Sequence, residues 1–284
     1  MSDRVTMNIE AGVADVRLNR PDKLNALDLA MFEALVEAGD ALRTDTSVRT
    51  VVLSGSGRGF CAGLDIEAFA MVGPPGSSAR PDERAEPDAG GERRSSAGNL
   101  GDRQPGRITN LAQQAVYTWT ELPVPVIAAV HGVALGGGIQ IALGADMRYV
   151  APDARLAVLE IRWGLLPDMT GLQMLPRLVG LDVAKELAFT GRMVSGEEAA
   201  RLGLATRVTD HPLEDALTTA HEIAGKNPTA IRNTKALLNA AGTRPLAESF
   251  LEESRLMGEV IGSPNQVEAV SAYLGKRAPA FKDR

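Results

Sequence analysis

The stretch VIAAVHGVALGGGIQ, residues 126–140, decides how the fold is interpreted. Its first five residues, Val126–Val130, form a short apolar run rich in valine, which is typical of a strand buried on both faces. Three consecutive glycines, Gly136–Gly138, then open an apolar helical pattern, and glycine there lets backbone N–H groups approach a ligand closely. The same glycines would also suit a close packing turn. The stretch predicts an α/β unit whose turn is a candidate binding site.

A second glycine-rich turn occurs earlier in the chain. The sequence GSGRGFCAGLD, residues 55–65, follows a predicted strand at Val48–Leu53. It is not a dinucleotide-binding fingerprint, because Phe60 stands where that motif requires its third glycine. Two such turns predict an oxyanion hole, since stabilising an enolate requires two N–H groups that converge on one oxygen. Two ordinary packing turns are the alternative.

Two carboxylates occur in EIRWGLLPD, residues 160–168. Glu160 ends a predicted apolar strand at Leu156–Leu159, and Asp168 follows eight residues later among apolar neighbours. A carboxylate in apolar surroundings has a raised pKa, as a general base that works near neutral pH needs. Both residues also fit exposed acids with no role in catalysis, and Asp168 could simply cap the helix that follows.

The beginning of the chain alternates strand and helix patterns. Ala14, Val16 and Leu18 alternate with polar residues, as in a strand with one face in water. Asp28 is a candidate N-cap for an amphipathic helix that runs to about Leu42. With the strand that follows, this order predicts an α/β fold with a right-handed crossover.

The chain divides into two parts by pattern. No strand pattern appears after Leu213, where at least four helices are separated by Asn227-Pro228, Gly242 with Pro245, and Gly262-Ser263-Pro264. We therefore predict a core at 1–205 and a helical region at 206–284. A segment at 73–106 is too poor in apolar residues to order itself, which predicts a flexible insertion or a lid.

Composition excludes several classes of protein. The 284 residues carry 30 Lys and Arg against 36 Asp and Glu, a net charge of −6, which argues against a nucleic-acid partner. One cysteine and three scattered histidines give neither a disulfide framework nor a metal signature. No apolar run is long enough for a signal peptide or a membrane span, so we expect a cytoplasmic protein. The scattered histidines and the single cysteine lead us to expect no metal site.

Several short motifs occur in a characteristic order along nearly the whole chain outside the insertion. They are Asn19-Arg20-Pro21, Asn25-Ala26-Leu27, Phe60 to Asp65, Gly132 to Gly138, Glu160, Thr190-Gly191-Arg192, Glu198-Ala199 and Gly203-Leu204. In this order the chain resembles the crotonase, or enoyl-CoA hydratase/isomerase, superfamily. The resemblance implies a spiral of strand-strand-helix repeats with a helical C-terminal trimerisation region. It also implies a homotrimer or a dimer of trimers that acts on acyl-CoA thioesters, with coenzyme A as part of the substrate and no separate cofactor.

The resemblance also implies roles for single residues. The N–H groups of Ala62 and Gly137 would bind the thioester carbonyl, and Glu160 and Asp168 would transfer protons. Asp65 would in addition cap its helix, and Lys276 and Phe281 would reach a neighbouring subunit's coenzyme A site as a looser match. The residues implied to bind the substrate are Lys23, Leu24, Ala26, Gly63, Asp65, Gly136, Gln140 and Trp163.

Gln140 departs from the hydratases of this family, which are expected to carry a glutamate there. An amide cannot do acid–base work, so Glu160 would be a single base, as in enoyl-CoA isomerases that move a β,γ double bond to the α,β position. Asp168 adds a partial likeness to dienoyl-CoA isomerases. Isomerisation and hydration therefore stand near parity, and the alternative is a non-catalytic acyl-CoA-binding homologue.

Two reactive residue types receive structural interpretations, and one enzyme class is set aside. Cys61 is expected to be a small buried apolar residue, because no histidine stands near it in the sequence. His131, just before the glycine turn, is also interpreted as structural. A serine hydrolase is not supported, since the chain lacks Gly-x-Ser-x-Gly.

Overall fold

The computed structural model describes residues 3–65 and 100–283. The predicted insertion at 73–106 lies outside the described residues as far as residue 99, and residues 100–106 lead through turns into the next helix.

Strands and helices alternate through most of the described chain. The strands are β1 (Val5–Glu10), β2 (Val13–Leu18), β3 (Thr50–Gly55), β4 (Val126–Val130), β5 (Val133–Leu135), β6 (Met147–Val150), β7 (Arg155–Ala157), β8 (Val194–Ser195) and β9 (Arg207–Val208). The helices are α1 (Leu29–Thr44), α2 (Leu111–Glu121), α3 (Gly137–Leu143), α4 (Gly171–Val179), α5 (Leu181–Thr190), α6 (Gly196–Leu202), α7 (Pro212–Ala224), α8 (Pro228–Ala240), α9 (Leu246–Val260) and α10 (Pro264–Leu274). None of these helices is long and apolar enough to cross a membrane.

The strands form two sheets. The larger has the order β1-β2-β3-β4-β6-β9, in which β1 pairs antiparallel to β2 and the other pairs are parallel. The smaller has the order β5-β7-β8, with β5 parallel to β7 and β8 antiparallel. The predicted crossover from β2 through α1 to a parallel β3 is confirmed.

The central strands of the larger sheet, β3 and β4, are buried on both faces, as their apolar sequences predict. On one face, Val51 and Leu53 of β3 join the main core with Phe32 of α1 and Trp119 of α2. On the other face, Val52 packs in a second cluster with alanines of α7. The α1 helix begins as predicted, because the Asp28 side chain accepts the Met31 N–H at 2.9 Å.

The two sheets are linked in a spiral. The chain passes from β4 in the larger sheet to β5 in the smaller, and then from β6 to β7 in the same way. The preceding turn of the chain joins this stack, because Cys61 forms a parallel bridge with Ala134 of β5. The predicted spiral of strand-strand-helix repeats is therefore confirmed, and equivalent points of successive turns lie side by side.

The sheet layer extends past the boundary predicted at residue 205. Strand β9 pairs with β6, and α7 packs on the larger sheet through Ala216, Ala220 and Ala224. The part of 206–284 that stands outside the two core clusters is therefore α8 to α10. These three helices expose Leu238, Phe250, Leu251, Met257, Tyr273 and Leu274. The trimerisation role of this region stays a prediction.

A buried lysine ties α8 to the core. Lys235 is 7% exposed, and its Nζ lies 2.8 Å from Asp146 Oδ2 and donates to Val124 O at 2.9 Å. Burial lowers the pKa of Lys235, and the Asp146 carboxylate opposes that effect. The ammonium therefore stabilises the junction only while it has its partners.

Lys235→Met should lower the free energy of unfolding by about 2 kcal/mol, because a hydrogen-bonded charge is lost and Asp146 loses its cation. Urea denaturation followed by circular dichroism measures the change. The matched control is Lys226→Met, which removes an exposed pair with Glu222 and should cost under about 0.5 kcal/mol. Equal losses in the two variants would contradict the prediction.

Candidate active site

Three turns of the spiral bring the predicted site segments together. The N–H of Leu135 donates to Cys61 O at 3.0 Å, which joins the first glycine turn to the second. The N–H of Gly136 donates to Ala157 O at 2.9 Å, which joins the second turn to the strand that precedes Glu160. Residues 74 and 21 positions apart in sequence thus become neighbours, because successive turns of the spiral place equivalent points of the chain side by side.

Glu160 lies in the middle of this cluster. A Cβ built on Gly136 would lie 3.4 Å from Glu160 Oε1, which places the carboxylate directly against the turn. Glycine is favoured at this position because its φ is 51°. Burial raises the pKa of Glu160 and the charge of Asp168 adds to the rise, whereas the Glu160 N–H and the Gln140 amide lower it. Oε2 is buried without a hydrogen-bond partner among the described residues. The predicted raised pKa is confirmed in direction.

Gln140 contacts Glu160 directly. Its Nε2 donates to Glu160 Oε1 at 2.6 Å, and its Oε1 accepts the Gly171 N–H at 2.9 Å. Sequence reasoning placed Gln140 among substrate-binding residues but gave no indication of its contact with Glu160. Gly171 was not singled out at all.

The Gly136–Gly137 turn presents a backbone donor beside the carboxylate. The N–H of Gly137, the first residue of α3, has no hydrogen-bond acceptor among residues 3–65 and 100–283. A Cβ on Gly137 would lie 2.7 Å from Leu27 Cδ1 and 2.9 Å from Met169 Sδ. A side chain at this position would have to displace Leu27 and Met169, so glycine lets the start of α3 pack closely against them.

The prediction that Ala62 supplies the other donor is wrong. Its N–H donates to Leu24 O at 2.9 Å and so is already used within the protein. Two residues later, the N–H of Leu64 has no acceptor in the described part of the chain. A Cβ built on Gly63 would lie 3.5 Å from the Gly137 nitrogen, which places this turn directly against the second one.

A buried asparagine fixes the first glycine turn. Asn25 Nδ2 donates to the carbonyl oxygens of Ser56 and Gly59, each at 2.9 Å, and Oδ1 accepts the Arg20 N–H at 2.8 Å. Asn25 has a positive φ of 57°, a conformation that asparagine tolerates better than most residues. The sequence analysis did not predict this role of Asn25. Its signal was a small amide side chain shortly after Arg20-Pro21.

Asp65 forms an ion pair with Arg20. Arg20 Nη1 donates to Asp65 Oδ2 at 2.7 Å and to Ala26 O at 3.2 Å. The helix that Asp65 was expected to cap lies outside the described residues. The Arg20 pair ties the end of the glycine turn to the segment around Ala26.

The remaining predicted residues occupy the surface around the cluster. Asp168 is exposed, and α4 begins at Gly171 after Thr170, so the alternative that Asp168 caps this helix is wrong. Trp163 is 61% exposed, and Lys23 is exposed beside the half-buried Leu24. The Phe281 carbonyl accepts from Arg49 of its own chain at 2.9 Å, which ties the tail to the core.

Two residues with structural interpretations behave accordingly. Cys61 is buried, its Sγ donates to Asn25 O at 3.1 Å, and burial raises its pKa to about 12. His131 Nε2 lies 2.9 Å from Gly57 O in the first glycine turn.

A cleft of about 390 Å³ opens beside Asp168. Its lining is mainly apolar, with Gln113, Gln173 and two threonines as further polar residues; the apolar side chains are Ile108, Tyr117, Leu166, Pro167, Leu172 and Met174. Tyr117 and Met174 were not predicted, because they come from α2 and α4, which only the tertiary fold brings together.

Fold and site together define an α/β spiral enzyme with a half-buried carboxylate beside backbone donors that have no acceptor among the described residues. The model of the enoyl-CoA hydratase/isomerase family matches residues 13–220. The chain belongs to that family, within the crotonase superfamily, and is an enzyme of the enoyl-CoA hydratase/isomerase type.

Similar proteins carry both activities in their names. The chain is 32% identical to a peroxisomal Delta(3,5)-Delta(2,4)-dienoyl-CoA isomerase of Arabidopsis thaliana, over 98% of this chain and 95% of that protein. It is also 32% identical to an (E)-benzylidenesuccinyl-CoA hydratase of Thauera aromatica, over 98% of each. The crystal structure of an enoyl-CoA hydratase from Bacillus anthracis superimposes with a TM-score of 0.83 at 29% identity, over 99% and 100% of the two chains.

Proposed function

We propose that this chain isomerises the double bond of an enoyl-CoA thioester, with Glu160 as the single group that moves the proton. One observation carries the proposal. Glu160 is half-buried, its carboxylate oxygen Oε2 is buried and has no partner in the described part of the chain, and it lies against the Gly136–Gly137 turn. A desolvated carboxylate with a free oxygen beside a carbonyl-binding turn is suited to removing a proton next to that carbonyl.

The thioester oxygen would be held by the N–H groups of Leu64 and Gly137. Both groups have no acceptor among the described residues, and their turns pack against each other at Gly63. Two donors on one oxygen stabilise the negative charge that develops there when the neighbouring carbon loses its proton. Leu64 replaces Ala62 in this role because of the Ala62–Leu24 hydrogen bond.

The proposed reaction is a transfer of one proton. Glu160 Oε2 takes a proton from C2 of a 3-enoyl thioester, and the electron pair delocalises over the carbonyl and the C3–C4 double bond. The carboxylic acid then returns the proton to C4, which leaves a 2-enoyl thioester and an ionised Glu160. Atoms and charge balance, and no water is consumed.

Hydration of a 2-enoyl thioester is the second candidate, and the hydratase names of similar proteins favour it. Water must then lose one proton to a base while C2 receives another. Gln140 is an amide with both polar ends in contact with the protein, so Glu160 alone would have to manage both protons. This requirement is the reason to place isomerisation first.

Product analysis in oxygen-18 water separates the two reactions. Purified protein is given 2-enoyl-CoA and 3-enoyl-CoA in separate reactions, and the masses of the products are measured by mass spectrometry. Conversion of the 3-enoyl to the 2-enoyl compound without oxygen uptake supports isomerisation. Heavy oxygen in a 3-hydroxyacyl-CoA made directly from the 2-enoyl substrate supports hydration, and no turnover of either supports the non-catalytic alternative.

The substrate's other parts would occupy the surroundings of the cluster. We place coenzyme A along Lys23, Leu24 and Ala26, and the acyl group toward the apolar cleft beside Asp168. The exposed apolar side chains of α8 to α10 are assigned to contacts between copies of the chain in a homotrimer or a dimer of trimers. Light scattering coupled to size exclusion would give the mass that checks this assembly.

Asp168→Asn tests whether Asp168 acts on Glu160 only through its negative charge or transfers a proton itself. The negative charge of Asp168 raises the pKa of Glu160, so its removal should move the acidic limb of the kcat/KM profile to lower pH, by less than about one unit for an exposed group. The measurement is the pH profile of isomerisation. A loss of 100-fold or more at every pH would instead make Asp168 a proton carrier in a two-base shuttle.

A further inference from the structure

The Gln140 side chain is held at both ends in one orientation. It is 1% exposed, its Oε1 accepts the Gly171 N–H, and its Nε2 donates to Glu160 Oε1. A backbone N–H can only donate, so it fixes which end of the amide is the oxygen. The NH₂ group must therefore face Glu160.

The turn that supplies the Gly171 N–H is shaped for this contact. A Cβ built on Gly171 would lie 2.6 Å from Gln140 Oε1, so a larger residue would displace the amide. The preceding Thr170 has a φ of 70°, and its Oγ1 is buried without a described partner. A β-branched residue in this conformation costs on the order of 1–3 kcal/mol, and such strain is concentrated at functional sites.

The contact determines which carboxylate oxygen of Glu160 is available. Oε1 is taken by Gln140 and stands next to Gly136, whereas Oε2 is left without a partner in the described residues. A carboxylate held in this way cannot rotate freely to exchange its two oxygens.

We propose that the Thr170–Gly171 turn and Gln140 form a positioning device that fixes Glu160 with Oε2 as its proton-accepting atom. The device rests on the proposed role of Glu160 and adds Thr170 and Gly171 as positioning residues that act on Glu160 through Gln140. Gln140 in this chain thus serves the base, and is neither a second proton carrier nor a ligand of water.

The groups around Glu160 determine the direction in which its pKa should move when the device is removed. Asp168 is the charged side chain whose field acts on Glu160 within the described chain, and it raises the pKa, as burial does more strongly. The Gln140 hydrogen bond lowers the pKa. Loss of that bond therefore raises the pKa, and the ionised base forms only at higher pH.

The test compares Gly171→Ala with Gln140→Leu. Gly171→Ala keeps the Gln140 amide, but the added Cβ pushes it out of its position between the residue 171 N–H and Glu160 Oε1. Gln140→Leu removes both hydrogen bonds of the amide. In each variant the acidic limb of kcat/KM should move upward by roughly one pH unit, the worth of one hydrogen bond to a charged group. At a pH below the limb of the unmodified chain, kcat should fall about tenfold, with KM nearly unchanged.

Gln140→Glu and Gly258→Ala complete the experiment. Gln140→Glu keeps an oxygen for the Gly171 N–H but removes the donor to Glu160, so its limb should move at least as far. Gly258 lies in α9 with nothing within 4 Å of a built Cβ, so Gly258→Ala is the matched control and should leave the profile unchanged.

An unchanged acidic limb of the kcat/KM profile in both Gln140→Leu and Gln140→Glu would overturn the positioning inference. An equal shift in Gly258→Ala would also overturn it. Gln140→Leu carries the test if Gly171→Ala does not fold. Failure of the proposed role of Glu160 is recognised separately, since Glu160→Gln would then keep full activity, and failure of isomerisation itself is recognised in the product analysis in oxygen-18 water. If Glu160→Gln is inactive while these limbs stay in place, only the positioning inference fails.

Discussion

Glu160→Gln should lower kcat for isomerisation by about 10²–10⁴-fold, the range that a positioned general base contributes. The amide has nearly the same shape, but it cannot accept the proton at the position of Oε2. Affinity for acyl-CoA should change little, because the proposed carbonyl donors and the coenzyme A segment are untouched. Steady-state kinetics and calorimetric titration with a saturated acyl-CoA measure the two quantities.

An exposed glutamate provides the control for this variant. Glu37 lies on the exposed side of α1, and Glu37→Gln should keep the activity of the unmodified chain. Full activity in Glu160→Gln would reject Glu160 as the base. Equal losses in both variants would mean that the effect is not specific to the site.

Leu64→Pro should lower kcat by about 10²–10³-fold, because proline removes the N–H that we assign to the thioester oxygen. In the structure this N–H gives no hydrogen bond to the described protein, so its loss removes no contact that is visible there. The effect should therefore appear in kcat more than in thermal stability. Kinetics and thermal unfolding of the same preparations check both parts.

Leu64→Ala separates the backbone donor from the side chain. It keeps the N–H and removes only the apolar side chain, so its loss of kcat should be much smaller than that of Leu64→Pro. If both variants lose the same amount, the side chain of Leu64 and not its N–H would carry the effect, and the assignment of the donor would be wrong.

The order of the fold could be predicted because local signals agree with one another. Asp28 caps α1 as its side-chain chemistry requires, and the apolar run Val126–Val130 is a buried strand. The apolar residues before Glu160 were enough to indicate a raised pKa, although the strand β7 ends at Ala157 and Glu160 begins a short 3-10 helix. The spiral itself came from the family resemblance and not from these patterns.

The errors concern contacts between distant parts of the chain. Which N–H of the first glycine turn is free depends on the Leu24 carbonyl, 38 residues earlier, which accepts from Ala62. The partner of Gln140 is a backbone group 31 residues later, in a turn with an unusual Thr170 conformation. Local periodicity contains neither fact, because each is fixed only when separate turns of the spiral pack together.

Cys61 shows what the packing prevents as well as what it builds. A thiolate close to a bound thioester would attack its carbonyl and take the acyl group from coenzyme A. The buried thiol, with a pKa of about 12 and a hydrogen bond to Asn25 O, is almost never ionised at physiological pH. An acyl chain bound beside it would therefore stay on coenzyme A, and we expect the protein to keep its activity in the presence of alkylating reagents.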